Sequence, residues 1–370
     1  MIVRVIVVMA GGSGERFWPM SRRARPKQLL PLTGEKTLLG ETLARAQALV
    51  DSSRIYIVAG AALTRKIREI AGFLPPENFL VEPVGKNTAP CLAFAAGVIG
   101  RRHGEETAMA VMSADSRITD VDRFRANAEI AFEQAEREDV LVMLGIRPTH
   151  PNTGFGYLEI GPPLREDRRG TVHRVESFRE KPDEETARRY VDSGNFLWNS
   201  GMFFWRVSTL MAAFDAHCPE FSAGARKIGD ALRGAGCEKA AAEVFDGWAS
   251  ISIDCAVMEK AHNVRAVPGE FDWDDVGTWN ALARMHPLDE AGNLLSGNAV
   301  AIDTRDCIIY NESRSAGLAD APKPLIAALG VEDLVIVQSG CSVLVCRRDR
   351  AQDIKQALQR LREEGFEECL

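Results

Sequence analysis

Five apolar runs of strand length, at residues 2–8, 54–59, 79–82, 108–113 and 140–145, alternate with four segments of helical periodicity, at 37–49, 62–71, 89–102 and 121–136. That rhythm admits few folds. Strands separated by a helix's length of chain cannot pair as tight hairpins. They are expected side by side in a Rossmann-like, mostly parallel α/β sheet with helices on both faces. Ligands of such sheets collect at the carboxyl ends of the strands. The first run ends in Val8-Met9-Ala10-Gly11-Gly12-Ser13-Gly14, so glycines stand where a ligand is expected.

Glycine tolerates φ > 0 and lets backbone N–H groups approach an anion. Successive N–H groups from Gly11 to Gly14 can form a nest for phosphate oxygens. Arg16 offers a two-pronged clamp for an oxyanion and Lys27 a point charge. Together they predict a nucleotide polyphosphate site. The dinucleotide pattern G-x-G-x-x-G fails, because its last glycine falls on Phe17, and no Gly-Lys-Ser/Thr closes a Walker loop. A signal peptide is set aside: Arg4 interrupts the apolar run and no small-residue cleavage site follows. The remaining alternative is a glycine turn with solvated cations.

The net charge of −7 and the lack of a basic run argue against a nucleic-acid partner. No apolar stretch is long enough to span a bilayer, so no membrane association is expected. The 8 cysteines form no CxxC pair and His is scarce at 6, which argues against zinc. Reduced thiols in a cytoplasm are the expected state.

Beyond residue 154 the pattern changes. Strands are expected at 154–160, 172–180 and 197–206, a helix opened by Pro182 at 182–193, and helices through 207–245. After 293, short Val/Ile-rich runs at 299–303, 307–310, 334–338 and 342–346 are separated by Gly, Asp and Asn. An amphipathic helix is expected at 351–364.

Chemical groups cluster at the strand ends. Asp115 follows the strand at 108–113. Asp275 lies in Phe271-Asp272-Trp273-Asp274-Asp275-Val276-Gly277-Thr278-Trp279. Mg²⁺ takes few protein carboxylates and completes its shell with water and phosphates, so this pair suits it. The alternative is a turn residue and a helix N-cap ahead of 276–285. Glu180-Lys181-Pro182 offers a hydroxyl acceptor and a phosphate-reaching cation, or an ordinary surface ion pair. Asn199 carries both donor and acceptor, as a sugar ring needs, or is a buried structural amide. Thr88 is a good N-cap for the helix at 89–102, with Pro90 in its first turn.

The Phe-Trp-Pro, Ser-Arg and Pro-Lys-Gln elements that follow the glycine loop resemble the signature of sugar-nucleotide pyrophosphorylases, and in particular the mannose-1-phosphate guanylyltransferase branch. The Asn-Thr-Ala-Pro string at 87–90 and the segment 253–260 share the resemblance. It implies a nucleotidyltransferase catalytic domain over 1–290, then a small left-handed β-helix-like module with a closing helix over 291–370. It implies that GMP passes from GTP to α-D-mannose 1-phosphate, with Mg²⁺ on Asp115 and Asp275. Arg16, Lys27 and Lys181 would be catalytic. Gly11, Gly12, Ser13, Gly14, Glu82, Asn87 and Thr88 would bind the nucleotide, with Glu82 accepting from guanine N–H groups. Gly156, Glu180, Lys181, Asn199 and Asp254 would bind the sugar phosphate. One departure stands out: Ser116 replaces a His common directly after the strand-end Asp. Rival readings are a pyrophosphorylase of other base or sugar, and a non-catalytic sensor that would lack Lys27, Asp115 or Asp275. No isomerase module is expected. A homodimer through the C-terminal module is one assembly open to such a chain.

Overall fold

The computed structural model describes residues 2–12, 14–232, 237–312 and 324–370. The chain divides into two compact units. One comprises Met1–Gly11, Thr42–Ala114 and Ile118–Trp273; the other comprises Gly12–Glu41, Asp115–Arg117 and Asp274–Leu370.

Among its described residues the first unit carries nine strands: β1 (Arg4–Met9), β2 (Ile55–Gly60), β3 (Phe79–Glu82), β4 (Ala108–Ser113), β5 (Leu141–Ile146), β6 (Gly156–Asp167), β7 (Gly170–Glu180), β8 (Phe196–Arg206) and β9 (Val264–Gly269). They form one mixed sheet in the order β3-β2-β1-β4-β8-β5-β9-β7-β6. The alternating first half gives the parallel ladders of β1 with β2 and β4, and of β2 with β3. Residues 5–8 of β1 are fully buried on both faces, as a central parallel strand requires. β8 then enters antiparallel between β4 and β5.

Alternation along β8 shows that both faces are covered. Phe203 and Trp205 point into one large core shared with the helices Thr88–His103, Val207–His217 and Pro219–Ala231. Phe204 points the other way, edge-on to Phe132 of the helix Val121–Arg137, with centroids 5.0 Å apart. β9 went unpredicted from the sequence, yet it pairs parallel with β5 in mid-sheet. Pro182 does not open its helix. Asp183 caps Glu184–Ser193, accepting from the Thr186 N–H at 2.8 Å.

In the second unit short parallel strands stack in the manner of a β-helix. The described strands are β10 (Leu294–Ser296), β11 (Ala299–Ile302), β12 (Ile308–Asn311), β13 (Ile326–Leu329), β14 (Leu334–Ser339) and β15 (Ser342–Arg347). β10, β12 and β14 run parallel in one sheet, β11 and β13 in another, and β15 closes the first by turning back on β14. The closing helix Ile354–Glu363 is reached through a 3₁₀ segment, Arg348–Asp353. Its Ile354 and Leu358 join a core built on Phe17, Trp18, Leu30, Val276 and Trp279.

The helices Thr88–His103 and Pro219–Ala231 touch backbone to backbone. A Cβ on Gly97 would lie 2.2 Å from the Ala225 carbonyl oxygen, and one on Gly229 would lie 2.7 Å from the Gly97 carbonyl oxygen. Neither neighbour is a side chain that could swing aside. Gly97→Ala is therefore expected to lower stability by about 1–3 kcal/mol, read as a fall in the thermal unfolding midpoint. An unchanged midpoint would contradict this packing.

Candidate active site

The candidate residues fall into two constellations, one in each unit. In the second unit the centre is Lys27, at the start of a 3₁₀ turn, Lys27–Leu29. Its side chain is 6% exposed. The ammonium donates to Asp115 Oδ2 at 2.9 Å and to the Asp275 carbonyl at 2.5 Å. Gly14 makes room for it. With φ +60°, Gly14 is in the left-handed region, and a Cβ there would strike Lys27 Cβ at 2.2 Å. Gly12 is held by the Gln28 amide, which donates to its carbonyl at 3.0 Å. Arg16 is on the turn Glu15–Phe17 and donates to Gln352 Oε1 at 3.0 Å. Ser13 lies outside the described residues.

The acidic string is sorted by its partners. The Asp272 carboxylate, in the first unit, accepts from the Thr119 and Asp120 N–H groups at 2.9 Å each. Asp274 accepts from the Val276 N–H at 2.7 Å and from Arg284 Nε at 2.8 Å. Both are structural. A two-way backbone bridge, Arg117 N–H to the Asp274 carbonyl at 2.8 Å and the reverse at 3.1 Å, ties the segment of Asp115 to that of Asp275. Burial holds the Asp275 carboxyl above its ordinary range. Lys27 opposes that shift, and the charges of Asp274 and Asp115 add to it. This carboxylate lies over Gly277, where a Cβ would come within 2.7 Å of Oδ2. Between them Val276 takes φ +48°, a conformation costly for a β-branched residue. Asp275 is not an N-cap: the turn Trp279–Ala281 begins after Thr278. Ser116 is buried.

In the first unit a second constellation forms where β6, β7, β8 and the π-turn Asp254–Met258 meet. A Cβ on Gly156 would fall 2.5 Å from Glu180 Oε2 and 3.3 Å from Asn199 Cβ. Asn199 is fixed at both ends of its amide. Nδ2 donates to Asp254 Oδ1, and Oδ1 accepts from the Gly201 N–H, each at 2.8 Å. Burial, then the Glu180 charge, pushes the Asp254 carboxyl up to about 6. Lys181 takes φ +48° and pairs its exposed ammonium with Glu180 Oε1. Glu180 Oε2 is buried without a hydrogen-bond partner.

Glu82 ends β3 and is buried, and its Oε1 also has no hydrogen-bond partner. Burial raises its carboxyl to about 7, with a hydrogen bond from the Cys91 thiol opposing the shift. A Cβ on Gly11 would sit 3.5 Å from Glu82 Oε2. The helix Thr88–His103 is capped by Asn87, not by Thr88: Asn87 Oδ1 accepts from the Thr88 N–H at 2.8 Å. The Thr88 hydroxyl instead accepts from the Ile253 N–H at 2.8 Å, beside Asp254. The sequence held no signal for these two hydrogen bonds or for the Arg117–Asp274 bridge.

Comparison with known proteins places the chain in a family. The sequence model of the Nucleotidyl transferase family matches residues 5–292, and that of the MannoseP isomerase/GMP-like beta-helix domain matches 297–361. A mannose-1-phosphate guanylyltransferase of Klebsiella pneumoniae is 37% identical over 96% of this chain and 74% of its own length. The xanthan biosynthesis protein XanB of Xanthomonas campestris pv. campestris is 34% identical over 98% of this chain and 74% of its own. A crystal structure from Thermus thermophilus, described as a mannose-1-phosphate geranyltransferase, is 36% identical. It superposes with a TM-score of 0.85 over 98% of this chain and 100% of that one. Among the described residues no helix is long and apolar enough to cross a membrane.

The buried Glu82 carboxyl gives a pH prediction. Its folded pKa, about 7, lies above the ordinary 4.5. Below pH 4.5 it is protonated in both states and costs nothing. As pH rises through 7 the folded state must hold a buried charge and loses stability. Glu82→Gln is expected to stabilise the protein by about 1–3 kcal/mol at pH 8, with the gain vanishing towards pH 4.5. Equal unfolding midpoints for both proteins at pH 8 would contradict it.

Proposed function

Because the chain belongs to the nucleotidyl transferase family, and within it to the mannose-1-phosphate guanylyltransferases, we propose that it transfers GMP from GTP to α-D-mannose 1-phosphate, giving GDP-mannose and pyrophosphate. A phosphate oxygen of the sugar 1-phosphate attacks the α-phosphorus of GTP in line. The bond to the bridging oxygen breaks and pyrophosphate leaves. No covalent enzyme intermediate is needed, so catalysis is positioning plus charge stabilisation.

In this proposal the loop N–H groups and Arg16 hold the outer phosphates. Lys27, fixed by Asp115 and the Asp275 carbonyl, offsets charge near the α-phosphate. Glu82, Asn87 and Thr88 attend the nucleoside, and the orphaned Glu82 oxygen accepts from the guanine edge. Gly156, Glu180, Asn199 and Asp254 hold the sugar, while Lys181 aligns its phosphate. Convergence of these last residues from separate segments is the observation that carries the reading.

Nucleotidyl transferases generally use a divalent metal, and the residues present fit one. Two carboxylates, Asp115 and Asp275, the second buried and lying over a glycine, offer oxygen ligands only. Among the described residues no group of three or more His, Cys, Asp or Glu would hold a metal alone, which suits a cation shared with phosphates. We assign it as Mg²⁺ on Asp115 and Asp275. When bound, the ion supplies positive charge to the phosphate oxygens.

The catalytic domain in this reading spans 1–290 and the β-helix-like module 291–370; the two family matches support that division. A cytoplasmic location and a homodimer through the module complete the proposal. The described cysteines, all unpaired, support the former.

The division of labour is testable by steady-state kinetics. Lys181→Ala is expected to raise the KM for mannose 1-phosphate by about ten- to a hundredfold, with GTP binding by calorimetry unchanged. Arg16→Ala should raise the KM for GTP. Lys27→Ala should mainly lower kcat, and Asp275→Asn should lower it by about a hundredfold or more. Loss of GTP binding in Lys181→Ala with an unchanged sugar-phosphate KM would overturn this assignment.

A further inference from the structure

The turn that carries Arg16 takes its support from the far end of the chain. Glu15–Phe17 is only three residues long. Phe17 and Trp18 pack in one core with Ile354 and Leu358 of the closing helix. The Trp18 indole N–H donates to the Cys369 carbonyl at 2.7 Å. Arg16 Nη1 donates to Gln352 Oε1 at 3.0 Å, across 336 residues of sequence. We propose that Gln352, on the 3₁₀ segment ahead of the closing helix, is a positioning residue for Arg16 and so tunes affinity for the outer phosphates of GTP, an inference that rests on the nucleotide site assigned above.

Two adjacent residues of opposite charge are treated differently. Glu15 Oε1 is paired with Arg362 Nη2 of the closing helix at 2.6 Å. That pair neutralises a carboxylate that would otherwise repel phosphate or occupy the neighbouring Arg16. Arg16 itself receives a neutral acceptor. An amide oxygen orients a guanidinium without cancelling its charge, and it uses one of five N–H donors. A carboxylate in the same place would form the two-pronged pair that a phosphate group needs for itself.

Orientation matters because an arginine side chain has much rotamer freedom to lose. A guanidinium already held by one edge loses less of it when phosphate oxygens arrive. Gln352 is exposed, so its side chain adds little to the core. Its removal is therefore expected to show in ligand affinity and not in folding.

The test is calorimetric titration of the full chain with GTP and Mg²⁺, without sugar phosphate. Gln352→Ala is expected to raise the Kd for GTP by about three- to tenfold, the effect of one hydrogen bond. Gln352→Glu should raise it further, because the carboxylate competes with phosphate for Arg16. Both variants should keep the thermal unfolding midpoint. In an Arg16→Ala background Gln352→Ala should add nothing, since its effect passes through Arg16. An unchanged Kd in Gln352→Ala, tighter binding by Gln352→Glu than by Gln352→Ala, or an equal loss with and without Arg16 would overturn the proposal. GTP affinity is read apart from turnover, so failure to form GDP-mannose would count against the proposed reaction alone. A wild-type chain that binds no GTP would overturn both.

Discussion

One buried ammonium group organises the charged half of the chemistry. Lys27 is almost wholly removed from water, and such a charge survives burial only if it is paired and hydrogen-bonded. It binds the Asp115 carboxylate and the Asp275 carbonyl. Much else follows from that need. Gly14 has to be glycine because Lys27 occupies the space of its side chain. The Arg117–Asp274 bridge holds the two acidic segments in register beside the lysine. Asp274 is occupied by Arg284 and the Val276 N–H, while the charge of Lys27 acts on the buried Asp275 carboxylate. The left-handed Val276 marks where the backbone is bent to achieve this.

The other constellation works by a different rule. Its polar atoms are either locked by protein partners or left without any. Asn199 is oriented from both sides, so its remaining donor and acceptor point in fixed directions. Glu180 and Glu82 each keep one buried oxygen unsatisfied. Unpaired buried carboxyl oxygens cost stability in the free protein. A sugar hydroxyl or a purine N–H would remove that cost, which is how a site gains selectivity for ligands that bring donors.

Periodic apolar runs and local motifs were legible in the sequence. The parallel ladders of β1 to β4, the helices between them and four short strands of the β-helix-like unit, β11, β12, β14 and β15, follow from such runs, whereas β10 and β13 do not. The residues chosen for the sugar phosphate also converge. What escaped was non-local or conformational. β9 reads poorly because Arg265 and Pro268 break its pattern, though pairing with β5 makes it a strand. Thr88 looked like a cap, but its hydroxyl is engaged by Ile253, 165 residues away in sequence, and Asn87 caps instead. Nothing in the sequence shows that Thr119 and Arg284 claim the other two carboxylates of the 271–279 string, Asp272 and Asp274.

The most direct measurement is pyrophosphate release from the purified chain. Each of the four NTPs would be offered with mannose, glucose and fucose 1-phosphates in the presence of Mg²⁺. GTP with mannose 1-phosphate is expected to give the highest kcat/KM, by about tenfold or more over every other pairing, with GDP-mannose as the co-product. Faster turnover of another pairing, or no pyrophosphate from any, would contradict it.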